Sequence, residues 1–294
     1  MTYILITPAK NEEQFLPLVA ESVVAQSVKP TLWLIVDDGS TDNTSIIVEK
    51  LKERYPWIIG VRLPPHPRDL YFHYSYVCKC GFDHVIDYAE RFGIRYDYIG
   101  LVDADTVLEY QYFEKLISKF ESDSSLGIAS GSIHEIINGS IKKVHEGSFP
   151  RGTGRLWTLD CFRDTGGYVV EAAAHSISNV KAIQQGYHIK RYKDITAVQQ
   201  RPTRSAEGLW KTYLEDGELA HYLNKHPLLV TLNTIYFTFR WPYYVGLPYL
   251  GGYLCSIMTR KDQIKDEAIK CYYWNTRKKE YIHMLKCKLS MKPS

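Results

Sequence analysis

The stretch Ile99-Gly100-Leu101-Val102-Asp103-Ala104-Asp105 joins a short apolar run to two acids one residue apart. Residues 99–102 have the length and character of a buried strand. In an extended chain alternate side chains share a face about 7 Å apart, so Asp103 and Asp105 can address one ion while Ala104 turns away. Two carboxylates about 6 Å apart repel by about 3 kcal/mol at an effective dielectric of about 20, and a bound cation relieves that repulsion. The same residues also suit an ordinary acidic turn at a strand end, so the pair needs support from elsewhere in the chain.

Nearer the amino terminus, residues 3–6 form another short apolar run, ending in Thr7-Pro8-Ala9-Lys10-Asn11-Glu12-Glu13. Phe15, Leu16, Val19, Ser22 and Val23 then follow a helical period. Residues 31–36 read as a further strand, ending in Asp37-Asp38-Gly39-Ser40-Thr41-Asp42-Asn43-Thr44. Ser40, Thr41 or Asp42 can cap the helix that follows, whose apolar face is Ile46, Ile47, Leu51 and Tyr55. Three apolar strands thus end in polar, acid-bearing loops, and helices follow the first two. In an open α/β sheet the carboxyl ends of the strands gather at one edge, where ligands bind. The acids are expected to converge on one cleft.

In this order, Pro8-Ala9-Lys10-Asn11-Glu12-Glu13, Val36-Asp37-Asp38-Gly39-Ser40-Thr41-Asp42 and Asp103-Ala104-Asp105 resemble the hallmarks of the family 2 glycosyltransferases of the GT-A fold. The resemblance covers about residues 1–205 and loosens beyond. It implies an α/β protein, a Rossmann-like three-layer α/β/α sandwich that binds a nucleotide-diphospho-sugar. It places Pro8, Ala9 and Glu12 at the base and ribose, and Asp38 or Asp37 on the base. Asp103 and Asp105 then stand at the ribose and at a diphosphate carried by a divalent cation, Mn²⁺ or Mg²⁺. The chemistry agrees, because hard carboxylate oxygens suit such ions and the ion neutralises the diphosphate. Acids also favour the positive end of a helix dipole; that structural role is preferred for Asp42, the functional one for Glu12.

The acceptor side departs from the family pattern. Relatives carry Gly-Gly-Phe, then Glu-Asp, then a helix ending in Gly-Tyr, with that Asp as the base. Here Gly166-Gly167-Tyr168 and Gln184-Gln185-Gly186-Tyr187 occupy the matching places, and counting back from Gly186 puts Ala174-His175 where the acids are expected. Three roles for His175 stay open. With an ordinary pKa of about 6.5 it can serve as general base. It can stand beside an acceptor already ionised, as in relatives that glycosylate polyprenyl phosphates. It can also be a structural helix-start histidine. Glu171 is a further candidate for the base.

Past this helix, Val198-Gln199-Gln200-Arg201-Pro202-Thr203-Arg204 takes the place of the family's basic motif over the diphosphate. Arg201, and less strongly Arg204, are the candidate leaving-group contacts, since a guanidinium forks onto phosphate oxygens. Gln200 stands where many relatives have a metal-binding histidine, so water is expected to complete the sphere. Arg151-Gly152-Thr153-Gly154-Arg155 is either part of the acceptor pocket or a plain turn. Pro64-Pro65-His66-Pro67-Arg68-Asp69 cannot be regular structure, because prolines fix φ and restrict their predecessors. It is expected at the cleft edge or at a subunit surface. His66, His73, His84 and His134 lack metal-ligand spacing, so zinc is not expected.

With 294 residues, 45% hydrophobic and 23% charged, the chain has the make-up of a soluble globular protein: one large α/β domain and an appended region. Its six cysteines form no Cys-x-x-Cys pair, so reduced thiols in a cytoplasm are expected. Met1 leads directly into the first strand, and no signal peptide is expected. The net charge of +3 is uneven: residues 259–294 hold ten Lys or Arg against four Asp or Glu. Just before them, residues 228–258 are aromatic-rich and contain one charge, Arg240. A spanning helix needs about 20 apolar residues, and Pro242, Pro248 and Gly251-Gly252 make this a poor one. The segment suits either peripheral contact with a membrane interface or packing of aromatics on protein. Nucleic acid is not expected, as the basic tail carries no recognised motif.

The sequence therefore predicts a catalytic domain over residues 1–205 and a helical region with a basic tail over 206–294. The expected activity is inverting transfer from a UDP- or GDP-sugar to a sugar, lipid-linked or polyprenyl-phosphate acceptor. His175 and Arg201 are the catalytic candidates, in a cytoplasmic protein associated with the inner face of a membrane, with homo-oligomerisation open. The main rival is a non-catalytic nucleotide-sugar binder, given Ala174-His175 and Gln200. A nucleotidyltransferase fits less well, because it opens with a glycine-rich basic loop that Pro8-Ala9-Lys10-Asn11-Glu12 is not.

Overall fold

Strand β1 (Tyr3–Ala9) is buried along its whole length, as a strand covered on both faces must be. Tyr3 and Leu5 meet Leu16, Val19, Phe113 and Leu116 on one side, while Ile4 and Ile6 meet Val77, Phe82 and Val85 on the other. That split follows from the two-residue period of a strand. The computed structural model in which it is seen describes residues 1–66, 72–137, 139–143, 149–201, 208–239 and 241–282. Arg204, Arg68, Asp69 and residues 283–294 of the basic tail lie outside the described residues. The chain divides into two compact units, Met1–Thr203 and Arg204–Ser294.

In the first unit, β2 (Leu32–Asp37) and β4 (Tyr98–Leu101) flank β1 in parallel, and β3 (Ile58–Arg62) lies parallel outside β2. Beyond β4 the sheet is mixed. It holds β5 (Thr106–Leu108), β6 (Leu126–Ile137), β7 (Ser140–Lys143), β8 (Arg155–Thr158) and β9 (His188–Gln199). The order is β3-β2-β1-β4-β8-β6-β9-β5, with β7 beside β6. Helices α1 (Leu16–Val24), α2 (Thr44–Arg54) and α4 (Tyr112–Ser122) contribute to one apolar layer. Helices α3 (Phe72–Arg91), α5 (Leu159–Asp164) and α6 (Ala174–Gln184) contribute to the other. The three-layer α/β/α sandwich expected from the sequence is therefore present.

Three local features differ from expectation. The Asp103-Ala104-Asp105 segment is a turn rather than an extended strand end: Thr106 N donates to the Asp103 carbonyl at 3.1 Å, and β5 begins at once. Ala104 is nevertheless buried in the core. The cap of α2 is Asn43 rather than Ser40, Thr41 or Asp42, although the Asp42 carboxylate still accepts Thr44 N at 2.9 Å. Helix α3, 20 residues long, follows the proline-rich segment and was not marked by any start signal in the sequence.

The second unit contains α7 (Leu209–Tyr222), α8 (Pro227–Thr238), α9 (Gly246–Met258) and α10 (Glu267–Cys271). Helices α7 and α9 approach through glycine: a Cβ at Gly217 would lie 2.0 Å from the Tyr249 carbonyl oxygen, and one at Gly252 2.0 Å from that of Leu214. Among the described residues no helix is long and apolar enough to cross a membrane. Cys78, Cys80, Cys161, Cys255 and Cys271 are free thiols.

Candidate functional site

The loops after β1, β2 and β4 are tied to one another. Asp38 N donates to the Ala9 carbonyl at 2.8 Å, Glu12 N to Thr44 Oγ1 at 2.7 Å and Glu13 N to Asp42 Oδ2 at 3.0 Å. Val102 N donates to the Ile6 carbonyl at 3.1 Å, which sets Asp103 just past the carboxyl end of β4 and alongside the last residues of β1. A fourth strand brings in the basic motif. The antiparallel register of Thr106 with Gln199 lets Gln200 N donate to the Asp105 carbonyl at 2.8 Å, and Arg201 follows. Pro8 and Ala9 are buried residues of β1 itself.

Four side chains from these loops converge. Arg201 Nε donates to Asp105 Oδ2 at 2.9 Å, and its Nη2 pairs with Glu12 Oε1. Both acids are almost fully buried. Glu12 Oε2 has no hydrogen-bond partner among the described residues. Burial pushes the Glu12 carboxyl up to about 7, with the Asp105 charge adding and Arg201 opposing. Asp103 is pushed up to about 6, by burial first and then by Asp105, while Tyr74 donates to its Oδ1 at 2.6 Å. Asp103 N is held by Thr153 Oγ1 at 2.8 Å. Glu12 and Asp103 therefore sit closer to neutrality than ordinary carboxylates, and a further positive charge would ionise them.

This donor set fits a divalent ion. Mg²⁺ and Mn²⁺ take oxygen ligands, and Mg²⁺ sites typically use one or two carboxylates plus substrate phosphates rather than a full protein cage. Asp103 and Asp105 are a pair of that kind. Among the described residues no three His, Cys, Asp or Glu side chains are grouped to hold a metal, so the remaining ligands would come from water or phosphate. Gln200 turns to the Val198 carbonyl, and Gln199 reaches Asp105 instead, at 3.3 Å.

Asp37 and Asp38 separate in role. Asp37 accepts Ser40 N at 2.8 Å and the Ser45 hydroxyl, which spends it on the turn into α2. Asp38 faces the other way: Lys10 Nζ holds its Oδ2 at 2.9 Å and His73 Nε2 its Oδ1 at 2.8 Å. Lys10 also donates to the His66 carbonyl at 2.7 Å, and the rings of His66 and His73 stack with centroids 3.7 Å apart. The start of the proline-rich segment thus lies over this loop, where a Cβ at Gly39 would come 2.5 Å from Pro65 Cα.

On the other flank, His175 opens α6 next to Gly152, where a Cβ would lie 2.5 Å from the imidazole Cδ2. Tyr168 Oη is 3.2 Å from His175 Nδ1, and the Tyr74 ring that bonds Asp103 packs edge-on against the imidazole. Burial, with Arg155 and Arg151 nearby, pushes the imidazole down to about 3, so it is neutral at physiological pH. Arg155 is no acceptor ligand but a core residue. It is fully buried, donates to Asn179 Oδ1 at 2.7 Å and lies over the Trp157 ring. Arg204 cannot be placed, lying outside the described residues.

Tyr74 carries no signal in the sequence, and Lys10, His73 and Thr153, though they fall in segments weighed there, are not marked as site residues. Tyr74, Cys78, Phe82 and Val85 fall at core spacing on one helix, which disguises a phenol that serves a carboxylate.

The chain was compared with known proteins. A comparison with curated protein sequences returns no match. Among solved structures, Staphylococcus aureus TarS residues 1–349 in complex with UDP-GlcNAc is similar at 16% identity with a TM-score of 0.53. That match covers 74% of this chain and 65% of that one, so the chain spans less than two thirds of that relative. The mannosyltransferase PcManGT from Pyrobaculum calidifontis, in complex with GDP-Man and Mn²⁺, is similar at 13% identity and a TM-score of 0.52, over 99% of this chain and 80% of that one. GalNAc-T7 with UDP, GalNAc and Mn²⁺ gives 13% identity and 0.52, over 73% of this chain and 47% of that one. At these identities the likeness concerns the fold, which is the GT-A fold of these enzymes. The family model for glycosyl transferase family 2 matches residues 4–170, more than half of the 294 residues and including every strand-end acid described above, and the chain belongs to that family.

Proposed function

We propose that this glycosyltransferase moves a sugar, with inversion, from a UDP- or GDP-sugar to an acceptor whose attacking oxygen is already ionised, a polyprenyl or other lipid-linked phosphate. The observation that carries the donor side is the convergence of Glu12, Asp103, Asp105 and Arg201 at the carboxyl edge of the sheet. UDP-GlcNAc, named for TarS, and GDP-Man with Mn²⁺, named for PcManGT, support the same class of ligand.

Asp103 and Asp105 would hold Mn²⁺ or Mg²⁺, which when bound neutralises the diphosphate and eases its departure. Tyr74 orients Asp103 through the 2.6 Å hydrogen bond. Arg201, paired with carboxylates here, turns its fork onto phosphate oxygens of the leaving group. Glu12, released from Arg201, accepts from the ribose hydroxyls. Asp38 keeps Lys10 and His73 and uses its remaining lone pairs to accept from the base.

The acceptor follows from His175. A group titrating at about 3 does not take a proton from a hydroxyl at neutral pH. After burial, the charges acting on His175 are those of Arg155 and Arg151, both positive, which suits an anion beside it. A phosphate oxygen then attacks the anomeric carbon, the bond to the diphosphate breaks, and no proton need move. The transfer machinery belongs to residues 1–205, with 206–294 an appended helical region, and the free thiols suit a cytoplasmic protein.

Hydrolysis of UDP- and GDP-sugars in the presence of Mn²⁺ tests the donor side. Asp105→Ala is expected to lower it by at least about 100-fold, on the scale of losing a transition-state electrostatic contact. Binding without turnover of any donor would favour the non-catalytic binder, and equal hydrolysis by that variant would remove Asp105 from the reaction.

A further inference from the structure

From Pro227 to Met258 the chain carries a single charged residue, Arg240. Helices α8 and α9 occupy almost all of that stretch, and each presents an apolar stripe to solvent. On α8 a stripe of exposed residues is Leu228, Ile235 and, at its end, Phe239, with Tyr236 beside it; on α9 it is Leu247, Leu254 and Met258, with Ile257 beside it. Both sets have the spacing i, i+7, i+11, which places them on one side of a helix. Trp241 and Tyr243, in the connection between the helices, are 77% and 60% exposed. The other sides of the helices are closely packed through small residues: Gly252 against Leu214, and Gly246 against Thr238, where a Cβ would lie 2.2 Å from Oγ1. Packing of this kind is how helices associate where their surroundings are themselves apolar.

Charge supplies the second argument. Residues 204–294 hold fourteen Lys or Arg against eight Asp or Glu, while the rest of the chain has more acid than base. Helix α9 runs directly into exposed Arg260, with exposed Lys265 shortly after. An uncharged apolar face with tryptophan and tyrosine at its turn and cations beyond its end matches a membrane interface, where aromatics sit among headgroups and cations meet anionic lipid. A face made for a second copy would be rimmed by polar side chains. With 12 and 13 residues the helices are about 18–20 Å long. That is short of the hydrocarbon thickness of about 30 Å, so they enter one leaflet without spanning it.

We propose that the α8–α9 hairpin is a docking surface for a bilayer bearing anionic headgroups, with Phe239, Trp241, Tyr243 and the two stripes buried in the interface. The inference concerns where the protein works and stands whether or not the sugar-transfer reading holds.

Flotation of the full chain with vesicles tests it. The protein is expected to float with phosphatidylglycerol–phosphatidylcholine vesicles and less with phosphatidylcholine alone. The combined variant Phe239→Ser, Trp241→Ser, Leu247→Ser is expected to lower binding on the order of tenfold or more, while Mn²⁺-dependent donor hydrolysis persists. A wild-type chain that stays in the soluble fraction overturns the proposal, as does a variant that floats equally well. A dimer that the variant turns into monomer, with no vesicle binding, assigns the face to a second copy and also overturns it. If the variant does not fold, brominated acyl chains decide with the wild-type protein: quenching of its tryptophan emission supports insertion, and unchanged emission refutes it.

Discussion

Glu12 concentrates the electrostatics of the site in one side chain. Its carboxyl is buried, one oxygen pairs with Arg201, the other has no hydrogen-bond partner among the described residues, and burial pushes it from an ordinary 4.5 to about 7. A folded-state pKa raised in this way means that the folded chain keeps a proton the unfolded chain has released. The group's contribution to stability is therefore full below about 4.5 and is lost as pH rises through about 7. Asp103, pushed up to about 6, acts in the same direction. In metal-free buffer the melting temperature is expected to fall between pH 5 and pH 8, and more steeply in the wild type than in Glu12→Gln. At pH 8 that variant is expected to be more stable by something on the order of 1–3 kcal/mol, each pKa unit being about 1.4 kcal/mol. Parallel melting curves for the two proteins would contradict the assigned cause. His175 gives a kinetic counterpart. Neutral throughout the working range, it should add no limb of its own to kcat/KM, so His175→Gln should keep the wild-type profile through pH 6–7, where Glu12 and Asp103 titrate, and should lower transfer to a phosphate acceptor less than about tenfold. Loss of a general base would cost on the order of 10²–10⁴.

Among the elements, the strands were the most legible. Apolar runs ending in Asp38, Asp103 or Glu12 announce both burial and site, because parallel strands covered on both faces are continuously apolar and their ends collect ligand groups. Arg201 was readable from its resemblance to the family's basic motif past the Gly186-Tyr187 helix end, and the Thr106–Gln199 register explains why that place works. Three things were not readable. The turn at Asp103 depends on the hydrogen bond from Thr106 N, which no side-chain pattern advertises. Helix α3 hides Tyr74 within a core stripe and His73 beside it. The lowered pKa of His175 arises from burial first and then from Arg155 and Arg151, which the sequence offers only as members of a basic loop. The helical unit has its own sequence-specific point at Gly252, whose missing side chain admits the backbone of α7. Gly252→Ala would set a Cβ 2.0 Å from the Leu214 carbonyl, a backbone atom that cannot swing aside. Overpacking of this kind costs about 1–3 kcal/mol, and a thermal melt should show the loss, whereas Gly251→Ala, at a position with nothing within 4 Å of the added Cβ, should change it little.

For the molecule as a whole, the sheet edge does what no local segment does: it carries Glu12 and Arg201, 189 residues apart in the chain, into one ion pair. Asp105, from a third loop, shares the same guanidinium. In the absence of donor, Arg201 supplies the positive charge that the acids lack, and a metal with its diphosphate would replace it there while giving the guanidinium a new anion to grip. The order of the three motifs made the catalytic unit legible in the sequence. The aromatic hairpin was legible only as composition, because whether Phe239 and Trp241 face solvent is decided by how α8 and α9 pack. The most direct test of the account is a crystal of the protein with Mn²⁺ and a UDP- or GDP-sugar, examined by anomalous scattering at the manganese edge. The account predicts a manganese peak bonded to Asp103 and Asp105, with Arg201 turned from Glu12 to the diphosphate. A donor bound elsewhere, with no manganese between these two aspartates, would contradict it.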